Sequence, residues 1–193
     1  ALDGQPPLWR CKGMKERNDI VKSIVVLVLI CLLSSSALAV VNHFTAPVSK
    51  ANAEAREQAA RLAVCPEADR FEAIPSAVSG NVESACAALD AQGAPLCYLF
   101  TVNGRGFGGT IQVLCAVDPD GYIRSCTTMD VSSETSTLGG QTAKESYTAQ
   151  YQGKDETLSG ISAVSGATIT STAYEGCVRE ALAAFRAVKE AEQ

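Results

Sequence analysis

The chain has 193 residues, 16 Lys and Arg against 21 Asp and Glu, and one His, giving a formal net charge of −5. An acidic balance argues against a general nucleic-acid binder, whose affinity rests on neutralising phosphates, and a lone His43 cannot supply a multi-His metal site. At 47% hydrophobic and 19% charged residues, the composition is that of a folded protein of one domain plus an appendage.

The appendage comes first. Ser23 to Val41, SIVVLVLICLLSSSALAVV, is an uncharged run between Lys22 and His43. At a rise of ~1.5 Å per residue it nearly crosses a hydrocarbon core of ~30 Å. Two readings are open, an uncleaved membrane anchor and a signal peptide cut after Ala37-Leu38-Ala39. The anchor is favoured because the apolar run continues through Val40 and Val41. The leader 1–22 carries Arg10, Lys12, Lys15, Arg17 and Lys22, whereas the residues just after the span carry only Lys50 and Arg56. The positive-inside rule therefore keeps the amino terminus cytoplasmic. Residues 42–193 hold 11 basic and 18 acidic side chains, an acidic body on the opposite face of the cytoplasmic membrane. Trp9 is read as a side chain at the cytoplasmic surface and His43 as one at the membrane exit.

Beyond the span, 42–64 reads as a stalk. Its segment 49–64, rich in Ala, Glu and Arg without Gly or Pro, predicts a helix. Residues 65–95 are broken by Pro66, Pro75, Gly80, Gly93 and Pro95 and predict only short elements. From Leu96 to Val131 the pattern is that of strands: LCYLFTV, a Gly-rich turn, TIQVLCAV, an Asp-Gly turn and YIRSCTTMDV, a three-stranded meander. A loop and short helix follow over 132–154, and a final helix over 172–190. Strands followed by helices, without βαβ alternation, predict an α+β domain over 65–193, with a twisted antiparallel sheet and flanking helices.

Cys11 and Cys31 belong to the leader and the span; Cys65, Cys86, Cys97, Cys115, Cys126 and Cys177 belong to the exported body. An oxidising exterior allows disulfides among these, while a reducing one leaves thiols. If Asp120 and Gly121 form a two-residue loop, Cys115 faces Cys126 directly. No CxxC or CxH spacing occurs, so no metal site is assigned. Gly104, Gly106 and Gly109 spell GxGxxG, but a strand pattern follows where a dinucleotide site needs a helix, so the run is a hairpin turn. Tyr147 and Tyr151, at helical spacing, read as core in preference to ligand stackers.

The last helix has a legible start: Thr172 and Glu175 form a TxxE capping box, and Ala173, Cys177, Val178, Ala181, Leu182, Phe185 and Val188 make one apolar stripe. Before it lies SGATITS, Ser165 to Ser171, a run of small and hydroxyl residues delivered to a helix amino terminus. Unpaired N–H groups there suit an anion such as phosphate. The same run also reads as an ordinary cap.

SGATITS resembles the flavinylation motif of the G subunit of Rnf complexes, the ion-translocating ferredoxin:NAD oxidoreductases, and of the C subunit of the sodium-translocating NADH:quinone oxidoreductase. VNHFTAP (41–47), GFGGTIQVLCAVDPDGYI (106–123) and YTAQYQGK (147–154) resemble further landmarks of the family in the same order, and the set favours the Rnf G subunit. The resemblance implies an FMN-binding domain with FMN joined through its phosphate to the hydroxyl of Thr168. Ser165, Gly166, Ala167, Thr170 and Ser171 surround the attachment. Glu134, Thr135, Leu138 and Gly139 are implied as flavin contacts, in a loop where Ser136 and Thr137 replace the family's usual Pro and Gly. Ser162 stands where the family commonly has an Asp read by a flavin transferase.

The resemblance further implies an electron-transfer subunit with no catalytic residue of its own, partnered by the other membrane subunits of such a complex and by a flavin transferase during maturation. The rival expectation is a membrane-anchored, non-redox binding or assembly module, in which SGATITS only caps a helix.

Overall fold

A computed structural model describes residues 9–191 in backbone and 20–191 in side chains. The leader side chains that carry the orientation reading, Lys22 excepted, and those of Trp9 and Cys11 lie outside the described residues. The chain divides into two compact units, Ala1–Ala53 and Glu54–Gln193.

From Trp9 onward the first unit is helical. One helix, α1, runs Trp9–Val64 with Pro47 inside it, so the stretch expected as a separate span and stalk is continuous. Pro47 removes one N–H from the ladder. Among the described residues, this helix is the one long and apolar enough to cross a membrane, and its apolar window is not buried by the rest of the protein.

The second unit is built on a five-stranded antiparallel sheet in the order β1-β2-β3-β4-β5. Its strands are β1 Arg70–Ala73, β2 Val82–Leu89, β3 Pro95–Arg105, β4 Thr110–Val117 and β5 Ile123–Asp130. The α+β class holds. The meander is two strands longer than its sequence suggested. β2 escaped notice because VESACAAL is Ala-rich and lacks the β-branched alternation that marks a strand. It is a strand because both of its faces are covered.

Both faces of the central strands are buried, which is why LCYLFTV and IQVLCAV are nearly continuous apolar runs. Side chains alternate across a strand. On one face Tyr98, Phe100, Val102, Val113, Cys115 and Val117 meet Tyr174, Val178, Leu182 and Phe185 of the final helix, α3 Thr168–Ala191. On the other, Cys97, Leu99, Leu114 and Ala116 pack with Cys65, Cys86 and Ala88 under Ala60 and Val64 of α1. Tyr147 and Tyr151 belong to the first of these cores, their rings packed edge-on at 5.8 Å between centroids. The segment after β5 winds through 3-10 turns at Gly139–Ala143 and Ala149–Tyr151, with a short helix α2, Glu145–Thr148, between them.

Two local expectations are corrected. α3 begins at Thr168, four residues before the expected capping box, because the Ser171 N–H already closes onto the Ala167 carbonyl at 2.9 Å. Thr172 and Glu175 thus lie inside the helix. The β4–β5 turn is longer than the two-residue loop: Asp118 N–H bonds the Tyr122 carbonyl at 2.8 Å, leaving Pro119, Asp120 and Gly121 in the loop, with Gly121 at φ 88°. A bulge between Ala116 and Val117, with Arg124 as the extra residue on β5, absorbs the difference, so Cys115 still faces Cys126. Their sulfurs stand 3.6 Å apart as free thiols, like the other described cysteines. Burial pushes the thiols of Cys86 and Cys177 up to about 11 and about 12.

The GxGxxG glycines serve packing and a turn. A Cβ at Gly104 would lie 2.5 Å from Cys177 Sγ and 3.1 Å from the Ala173 carbonyl, so at this position the close approach of β3 to α3 requires glycine. Gly106 N–H closes the hairpin onto the Gly109 carbonyl at 2.8 Å.

The end of α1 is fixed to the sheet by one carboxylate. Glu57 accepts from Arg61 Nη2 at 2.7 Å, from Thr101 Oγ1 at 2.8 Å and from Ser84 Oγ. Burial disfavours its ionisation, but the Ser84 and Thr101 hydroxyls and the Arg61 charge prevail and hold it below its ordinary 4.5. Glu57→Ala strands these donors and is expected to cost about 1–3 kcal/mol, read as a lower urea midpoint of the detergent-solubilised chain. Because the folded-state pKa is depressed, the stability Glu57 contributes is complete above its unfolded value of 4.5 and is lost as pH falls through the folded value. The urea midpoint should therefore fall less steeply below that pH in Glu57→Gln than in the parent.

Candidate functional site

Three segments meet at one end of the sheet. The tip of the β3–β4 hairpin, residues 106–109, abuts the loop after β5, where Gly109 leaves so little room that a Cβ would come within 2.6 Å of Ser133 Cβ. The same loop then reaches the first turn of α3. Together they enclose a cavity of about 390 Å³ lined by Phe107, Glu134, Thr135, Leu138, Gly139 and the stretch 166–170. That volume lies in the range of small-molecule sites, ~300–1,000 Å³.

Glu134 ties the three together. Its Oε1 accepts from Gly108 N–H at 2.8 Å, and its Oε2 accepts from Thr170 Oγ1–H at 2.9 Å. Thr170 in turn accepts from Phe107 N–H at 3.4 Å. The 134–140 loop is shaped by its own backbone: Leu138 N–H and Gly140 N–H both reach the Thr135 carbonyl, at 3.0 and 2.9 Å, with Gln141 Nε2 on the Ser136 carbonyl at 2.6 Å. Thr142 Oγ1 donates to the Gly139 carbonyl at 2.7 Å. These bonds close the turn without the Pro and Gly that the sequence lacks there.

The hydroxyls of SGATITS have separate fates. Thr170 and Ser171 are buried; Thr170 is engaged by Glu134, and Ser171 Oγ accepts from Val164 N–H at 3.0 Å. Ser165 is exposed but does not line the cavity. Thr168, on the first turn of α3, is exposed and does line it. Gly166 adopts φ 79°, and a Cβ there would press to 3.2 Å on Leu138 Cδ2. A Cβ at Gly139 would collide with the Glu134 carboxylate. Both glycines keep the cavity open.

Of the residues singled out from sequence, the cavity gathers Glu134, Thr135, Leu138, Gly139, Gly166, Ala167, Thr168 and Thr170, and leaves out Ser165 and Ser171. It adds Phe107 and Ile169, with relative exposures of 79% and 57%. A phenylalanine at the tip of a glycine turn, where solvent would expel it, was the available signal. Ser162 sits apart, its N–H on Gln150 Oε1 at 2.9 Å, beside a shallower polar pocket that also touches Lys144 and Tyr147. Among the described residues, no group of His, Cys, Asp and Glu is arranged to hold a metal ion.

A flat, mostly apolar group suits this cavity. Phe107, Leu138 and Ile169 supply apolar walls, and the glycines leave space where any side chain would intrude. The exposed Thr168 is among the residues that line the cavity. The fold and site define a domain with one small-molecule cavity at the end of its sheet. The chain matches the family described as the FMN-binding domain over residues 106–183. Over 178 residues, covering 87% of this chain and 92% of the relative, it is 26% identical to the G subunit of the proton-translocating ferredoxin:NAD(+) oxidoreductase complex of Clostridium ljungdahlii. It is also 26% identical, over 86% of this chain and 92% of the relative, to the G subunit of the Na(+)-translocating ferredoxin:NAD(+) oxidoreductase complex of Acetobacterium woodii.

Replacing Glu134 by Ala leaves the Gly108 N–H and the Thr170 hydroxyl without their acceptor. We expect a loss of about 1–3 kcal/mol in urea unfolding. Hydrogen exchange should rise at the 106–109 tip while the centre of β3 stays protected; unchanged exchange at the tip would show that the carboxylate does not hold it.

Proposed function

We propose that this chain is a single-pass membrane electron-transfer flavoprotein whose FMN is esterified through its phosphate to Thr168, acting as the G-type subunit of an ion-translocating ferredoxin:NAD oxidoreductase complex. The observation that carries the reading is that Thr168 is the one hydroxyl of SGATITS both exposed to solvent and facing the cavity. Thr170 and Ser171 already serve the protein's own hydrogen bonds. Attachment joins Thr168 Oγ1 to the FMN phosphorus as the bond from phosphorus to the donor's leaving group breaks, and the hydroxyl proton goes to solvent. That transfer belongs to a partner enzyme, a flavin transferase, and needs from this chain only an accessible hydroxyl on a sterically small approach, which Gly166 and Ala167 provide.

Bound FMN supplies reversible one- and two-electron chemistry. The chain's own residues hold and shelter it: Phe107, Leu138 and Ile169 offer apolar contact, and Glu134 holds the hairpin tip against α3. Thr135 and Gly139 complete the wall. The names of the two relatives support placement among the other membrane subunits of such a complex. The leader's excess of Lys and Arg supports a cytoplasmic amino terminus and a domain on the outer face.

In-gel ultraviolet fluorescence of the denatured chain, expressed with its own flavin transferase, tests the attachment. A fluorescent band with an FMN mass adduct is expected. Thr168→Val should abolish both while leaving the fold, read by circular dichroism, unchanged. Fluorescence that persists in Thr168→Val would move the attachment to another hydroxyl. A dark parental band with no adduct would favour the non-redox module.

A further inference from the structure

Thr168 borders two depressions. One is the cavity just described, whose lining carries a single charged side chain, Glu134. The other, of about 380 Å³, shares Thr168 and Ile169 with it and is otherwise lined by Arg105, Thr172 and Ala173. Arg105 is the last residue of β3, held in register opposite Thr110 by the β3–β4 ladder. Its side chain is exposed and takes part in none of the hydrogen bonds or ion pairs of the described residues, unlike Arg61, Arg124, Arg179 and Arg186, each of which has a carboxylate partner.

A phosphodiester on Thr168 carries a negative charge beside the Oγ1 atom. The Glu134 side repels it, and both carboxylate oxygens there are already occupied by Gly108 and Thr170. The Arg105 side offers an unengaged guanidinium, whose planar donors match phosphate oxygens. We infer that Arg105 is the phosphate's counter-charge, a positioning residue that holds the anionic end of the cofactor beside Thr168 and leaves the apolar cavity to the rest of it. The inference rests on esterification at Thr168. It adds a residue that neither the motif nor the cavity lining contains.

The test uses the full chain in detergent, loaded by its flavin transferase, as parent, Arg105→Gln and Arg105→Lys. Two quantities are read: the initial rate of FMN incorporation by intact mass, and the ³¹P resonance of the loaded protein. An exposed ion pair supplies a factor of up to about fivefold, so Arg105→Gln should load more slowly by up to that factor and Arg105→Lys near the parental rate. The phosphorus resonance should move in Arg105→Gln. Superimposable resonances in parent and Arg105→Gln overturn the inference. If the rates differ while the resonances coincide, Arg105 serves the encounter with the transferase, and the phosphate role is wrong. A parent without any adduct on Thr168 overturns the esterification reading itself, which the variants cannot mimic.

Discussion

One carboxylate holds the candidate site together. Glu134 lies between a hairpin tip and a helix amino terminus that are separate in sequence, and it accepts one hydrogen bond from each. The glycines at 106, 108 and 139 are there because any Cβ would strike Glu134 or Ser133. The cavity's shape is thus set by a charged side chain and the absence of neighbouring ones. Charge-assisted bonds of this kind are roughly twice as strong as neutral ones, so two of them suffice to fix loops that bury little apolar surface.

Beneath the site, the sheet is covered on both faces, by α3 and by the end of α1. This accounts for the sequence's long apolar strands and for its buried thiols, which fill space as small hydrophobes. It also explains why a polar anchor appears where the helix lands. Glu57 satisfies two strand hydroxyls, Ser84 and Thr101, that would otherwise lie under the helix without this acceptor. The same carboxylate that secures the contact makes it sensitive to acid.

Much of this was legible from residue order. The apolar run at 23–41, the alternation from Leu96 to Val131 and the stripe from Ala173 to Val188 each report a period that physics enforces over many residues. What escaped depends on partners distant in sequence. β2 is a strand only because its neighbours bury it, and an Ala-rich octamer carries no such signal alone. The start of α3 slipped because Thr172 and Glu175 imitate a cap, whereas tertiary contacts to Ser171 and Thr170 draw the helix back by a turn. The Cys115–Cys126 facing was right for an incomplete reason: a longer turn and a bulge cancel, which only the register reveals. Within the site, Glu134 was named through resemblance, but its clasp on Gly108 and Thr170 follows from folding alone.

The position of Thr168 on the first turn of a 24-residue helix bears on precision. Ten side chains of that helix are buried, so anything fastened to its leading turn moves with the hydrophobic core and does not swing as it would on a surface loop. Electron tunnelling falls off steeply with separation. On the proposed reading, a cofactor phosphate joined to Thr168 would keep a nearly constant place in its domain, and a change in its distance to a neighbouring centre would come largely from displacement of the domain as a body.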